Sequence, residues 1–130
     1  MYYLRAFIAG MILPAVLVPI ISTLGVLIGR PQMLTTLFFH WIPIFWGIWN
    51  VLYFAVFQQM RLDVNVRMLL TGMALGLLLG LTGTFGLHLP ERIGLRGHLR
   101  FLPLVVAPIA YALLWRYVVK EFNEMLGLRN

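Results

Sequence analysis

Apolar residues along this chain gather into four long runs, 6–28, 37–57, 68–87 and 101–119, and nearly every charged side chain falls between or outside them. Each run has roughly the 20 residues that an α-helix needs to cross a hydrocarbon core about 30 Å thick. A backbone in lipid must satisfy its own N–H and C=O groups, so only helices or closed barrels span it. Uninterrupted apolar runs do not alternate as barrel strands do. The pattern predicts an all-α membrane protein with four transmembrane helices. Short connections between the runs predict an up-and-down antiparallel bundle forming a single domain over residues 1–130.

Each run has its own character. The third carries Gly72, Gly76 and Gly80 at steps of four, a groove on one helical face that lets a neighbouring backbone approach closely. The second carries Trp41, Phe45, Trp49, Tyr53 and Phe57, also at steps of four, with Trp46 and Phe54 beside them. If the second and third runs form a hairpin, this ridge of rings fills the groove, with Tyr53 near Gly72, Trp49 near Gly76 and Phe45 near Gly80. The six residues Gly72, Gly76, Gly80, Phe45, Trp49 and Tyr53 are therefore the expected helix-packing positions. Such a row of rings also suits a flat hydrophobic ligand such as a quinone, a pigment or a sterol-like lipid, although helix packing is the commoner use. The first and fourth runs each contain paired prolines. A proline inside a helix removes one backbone donor, so bends are expected at Pro14, Pro19 and Pro108, whereas Pro103 fits a first turn.

Composition sharpens this picture. Hydrophobic residues make up 62% of the chain and charged ones 11%, and the mean hydropathy is +0.92, which leaves no water-soluble core to build. The first run is longer than the apolar region of a secretory signal and lacks a small-residue cleavage site, so it is expected to remain as a permanent helix. Cysteine is absent, which excludes disulfides, thiolate nucleophiles and cysteine metal sites.

The net charge of +6 belongs to residues that flank the runs, where lipid headgroups account for them better than nucleic acid does. Arg5, Arg61, Arg67, Arg116, Lys120 and Arg129 fall on one side, and Arg30, Arg92, Arg96 and Arg100 on the other. The majority side places both termini in the cytoplasm, most simply in a bacterial inner membrane. Tyr2, Tyr3, Trp115 and Tyr117 stand where amphipathic rings anchor at the headgroup level, and Arg116 snorkels beside them. Arg92, Arg96 and Arg100 recur at steps of four in the loop 89–100 and are the candidates for contact with lipid headgroups or an anionic partner. Residues 120–130 read as a short amphipathic tail.

Candidate chemistry is sparse. His40 opens the second run and His88 closes the third, with His98 in the following loop. They are the residues from which a metal or haem site would be built, but Glu91 is the sole carboxylate near them. No cofactor is expected. No Asp or Glu lies within any run, so the coupling group of a proton antiporter is missing. Small multidrug transporters have a similar size and helix count, yet are expected to carry such a glutamate. The hydroxyls in or near the runs, Ser22, Thr71, Thr82 and Thr84, have no base in reach and most often bond back to their own helix.

The sequence therefore favours a non-enzymatic helical subunit or accessory factor of a larger membrane complex, partnered by other membrane subunits or by further copies of itself. The alternative is a small uncoupled carrier, channel or lipid flippase.

Overall fold

A computed structural model of the protein describes residues 1–29, 37–92 and 94–129, and for residues 37–39 and 92 it describes the backbone alone. The described residues form helices and connecting turns, with no strand among them. The long helices are α1 (Tyr2–Leu27), α2 (Leu37–Ala55), α3 (Val64–Leu81) and α5 (Leu102–Leu114). The short helices are α4 (Leu89–Arg92) and α6 (Lys120–Met125). Wider π turns at Thr82–Gly86 and Trp115–Val119 extend α3 and link α5 to α6. Four helical stretches, Tyr2–Leu27, His40–Gln59, Val64–Gly86 and Gly97–Met125, are long and apolar enough to cross a membrane.

The chain divides into two compact units, residues 1–59 with 121–130, and residues 60–120. In the first, α1 packs on α2; in the second, α3 packs on α5. In each seam the backbones meet at residues that lack bulk.

On α1 the buried positions are Ala6, Ala9, Gly10, Pro14, Ser22 and Gly25, a stripe of small residues at helical spacing. A Cβ added at Gly10 would stand 2.6 Å from the Trp46 carbonyl oxygen, and one at Gly47 would stand 2.9 Å from the Phe7 carbonyl oxygen, so the two backbones are in direct contact. α1 continues unbroken through Pro14 and Pro19, and α2 through Pro43. The Thr23 hydroxyl donates to the Pro19 carbonyl at 2.8 Å.

α3 starts where Asp63 caps it, the carboxylate accepting from the Asn65 amide at 2.8 Å. Its buried face is Met68, Thr71, Gly72, Leu75, Gly76 and Gly80. The groove predicted on this face is present, but its occupant differs from the expectation. A Cβ on Gly72 would meet the Tyr111 carbonyl and lie 2.6 Å from Trp115 Cβ. One on Gly76 would lie 2.6 Å from the Ala107 carbonyl oxygen, and one on Gly80 would lie 3.3 Å from that of Pro103. The fourth run, not the ring ridge of the second, fills the glycine groove. Steps of four on α3 meet steps of four on α5 in reverse order. The physical reason is depth: three glycines in a row open a channel to the helix backbone itself. A helix presenting its backbone from Pro103 through Ala107 and Pro108 to Tyr111 enters that channel with its carbonyls.

The ring ridge also sits differently. Trp46, Tyr53 and Phe54 are buried, Trp49 is half-buried, and Phe45 and Trp41 are exposed at 41% and 51%. The buried rings follow the face of α2 turned to the small stripe of α1, and the Phe54 ring meets Tyr2 edge to face at 5.4 Å.

Candidate functional site

Two polar constellations stand out against this apolar framework. The first lies within the unit built on α1 and α2. Asn50 sits on the buried face of α2, and its amide nitrogen donates both to the Ala6 carbonyl and to the Asn123 side-chain oxygen, each at 2.7 Å. Both asparagines are 0% exposed. Asn123, on α6, returns a longer bond of 3.4 Å to the Asn50 side-chain oxygen. The C-terminal segment is further held by Gln58, whose amide donates to the Arg129 carbonyl at 2.6 Å, and by the burial of Leu128. The segment read as an amphipathic tail is in part an internal element. An amide between two helices has no water to fall back on and must find its partners inside the protein, which makes this pair a structural clasp.

The second constellation lies at the end of α3, within the other unit. There the helix widens into the π turn Thr82–Gly86, closed by a bond from the Leu87 amide to the Thr82 carbonyl at 3.0 Å. Such widenings recur at functional sites because they turn side chains out of the regular helical register. The chain then reverses through His88, whose φ of +50° lies in the left-handed region, and enters α4. A left-handed residue other than glycine is held against its own preference, and such strain gathers at binding sites. The following turn is pinned by bonds from the Gly94 amide to the Glu91 carbonyl and from the Leu95 amide to the Pro90 carbonyl.

Thr84, Phe85, His88, Pro90, Glu91, Arg100 and Phe101 line a recess of about 90 Å³. Glu91 stands at its centre, 3.6 Å from His88 Nδ1 and 3.9 Å from an Arg100 guanidinium nitrogen. All three side chains are half or more exposed. The Arg100 guanidinium lies 4.6 Å above the Phe101 ring, and the Phe85 and Phe101 rings are 6.3 Å apart. Thr84 is 6% exposed, and its hydroxyl finds no hydrogen-bond partner.

Of the residues expected to contact headgroups or an anionic partner, Arg100 belongs to this recess and Arg96 is exposed, while the Arg92 side chain lies outside the described residues. Of the candidate metal ligands, His88 faces Glu91 and His40 is exposed at the start of α2. Among the described residues no three His, Asp or Glu side chains gather as a metal site would require. Sequence reasoning missed Asn50, Asn123 and Thr84 as site residues. A lone asparagine inside an apolar run was the available signal for the first. Nothing in the sequence foretold that Thr84 would be left without a partner by a local change of helix pitch.

In comparison with known proteins, no family model, no curated protein and no solved structure matches this chain.

Proposed function

We propose that this protein is a non-enzymatic integral membrane protein, a helical subunit or assembly factor of a larger membrane complex, with its four spans forming an antiparallel up-and-down bundle. The observation that carries the reading is the closure of both helix seams down to backbone contact, at Gly10 and Gly47 in one unit and at Gly72 and Gly76 in the other. A carrier needs a binding site near mid-depth between its helices. Within each unit the mid-helix positions are filled by small residues against carbonyls, and the polar recess of the second unit lies where α3 ends.

The outward faces support a lipid or protein surround. Leu17, Ile20, Ile21 and Leu24 on α1, Ile44, Ile48 and Leu52 on α2, Leu70, Met73 and Leu77 on α3, and Val105, Val106 and Ile109 on α5 are all exposed. In water these faces would be an aggregation liability, and in a bilayer they are the expected solvent contact. The charge bias favours a bacterial inner membrane with both termini in the cytoplasm.

The test is purification from native membranes in a mild detergent, followed by mass measurement of the intact particle. A complex of this chain with other membrane subunits in fixed ratio is the expected result. A particle containing this chain alone, which conducts a solute after reconstitution into vesicles, would overturn the subunit reading in favour of a carrier.

A further inference from the structure

We propose that the recess at the end of α3 binds the headgroup of a phospholipid bearing a primary ammonium, with the phosphate on Arg100 and the ammonium on Glu91. The inference rests on the membrane placement proposed above. That placement sets the recess, just past the helical stretch Val64–Gly86, at the level where headgroups lie.

Four observations meet there. The recess presents one cation and one anion side by side: Arg100 and Glu91 are 3.9 Å apart and half exposed, a pair too loosely held and too solvated to satisfy either charge. A phosphate joined to an ammonium by two carbons offers the complementary pair at a comparable spacing, and charge-assisted hydrogen bonds form at both ends. The walls are apolar, with Phe85, Phe101 and Pro90 providing a surface for the glycerol and upper acyl carbons. Thr84 contributes to the same wall, more than nine-tenths buried, with a hydroxyl that the protein leaves without a partner. Finally, the recess is small, about 90 Å³, which suits a headgroup whose chains stay outside it.

The chemistry also discriminates. A choline headgroup has no N–H to donate to Glu91, and its methyl groups enlarge the cation. A glycerol headgroup brings a negative charge to the recess with nothing to offset Glu91. Selectivity should therefore run against both.

The experiment is native mass spectrometry of the full chain in detergent, with matched-chain phosphatidylethanolamine, phosphatidylcholine and phosphatidylglycerol added in competition. Retention of the ethanolamine lipid by about tenfold over each of the others is expected, the scale of one good charge-assisted contact. Glu91→Gln should erase the preference over phosphatidylcholine, and Arg100→Gln should release the ethanolamine and glycerol lipids alike. Equal retention of the three lipids by the unaltered protein would overturn the proposal, and so would an undiminished ethanolamine preference in Glu91→Gln. Displacement of the lipid by an equal concentration of soluble glycerophosphoethanolamine would overturn the lipid as occupant, since the apolar walls would then contribute nothing. Release of the protein from membranes by alkaline carbonate would refute the membrane placement instead, a readout independent of lipid preference.

Discussion

Substituting Gly76 by alanine tests the seam between α3 and α5 directly. The added methyl carbon would lie 2.6 Å from the Ala107 carbonyl oxygen and 2.8 Å from both the Ala107 carbonyl carbon and Pro108 Cα. All three atoms are backbone within a helix, so no rotamer change makes room. The helices must part by about 1 Å to restore ordinary contact, and overpacking of this kind costs about 1–3 kcal/mol. Against this stands the better helix propensity of alanine, worth about 1 kcal/mol in water. The net expectation is a loss of up to about 2 kcal/mol, or up to roughly 30-fold in the folding equilibrium. Gly80 is the internal control. Its added Cβ is tight only against the Pro103 oxygen, at 3.3 Å, with Leu104 at an ordinary 3.7 Å, so a small adjustment suffices and Gly80→Ala should fall within about 0.5 kcal/mol of the unaltered protein. Unfolding in mixed micelles of rising dodecyl sulfate fraction, followed by tryptophan fluorescence, gives both values. A cost at Gly76 no greater than that at Gly80 would refute the claim that backbone contact holds this seam.

Three further outcomes follow from the other features. Asn50→Leu should destabilise by about 1–3 kcal/mol by removing the buried bonds that Asn50 gives to the Asn123 side-chain oxygen and the Ala6 carbonyl. The Asn50→Leu, Asn123→Leu double variant should cost less than the sum of the singles, and a double-mutant cycle in the same micelles would show additivity if the two amides were independent. His88→Gly should raise stability by up to about 1 kcal/mol, because it relieves a left-handed backbone at φ +50°, and a lower thermal midpoint would contradict that strain. Because the chain has no cysteine, single cysteines at Tyr3 and Arg129 report orientation cleanly: both should react with a membrane-impermeant maleimide only after the inner face is opened, and labelling of intact cells would reverse the charge-based assignment.

The four helices were legible because length and unbroken apolar character together mark a candidate span, and the apolar runs coincide with the long helical stretches to within about six residues at each end. The packing positions Gly72 and Gly76 were legible for a related reason: a missing side chain on a regular face is a feature of the helix itself. The partner across that face was not. Choosing between an aromatic filler and an approaching helix requires the depth of the groove, which sequence spacing does not encode. The small stripe Ala6, Ala9 and Gly10 has the same character but is less uniform than three glycines, and it receives α2 closely all the same. The recess was visible only as a basic loop. Its making depends on a π turn and a left-handed histidine, both of which are local departures from the periodicity that reading a sequence relies on.

The clasp between Asn50 and Asn123 has a temporal meaning. The two residues are 73 positions apart, yet both belong to the unit that α1 and α2 begin. A ribosome adding about 5–20 residues per second finishes α2 on the order of ten seconds before Asn123 emerges. Through that interval the first pair of helices holds a polar amide that its own residues satisfy only at the Ala6 carbonyl. Helices α1 and α2 must therefore wait for Asn123, and a chain stalled late in synthesis would carry that amide open to other partners.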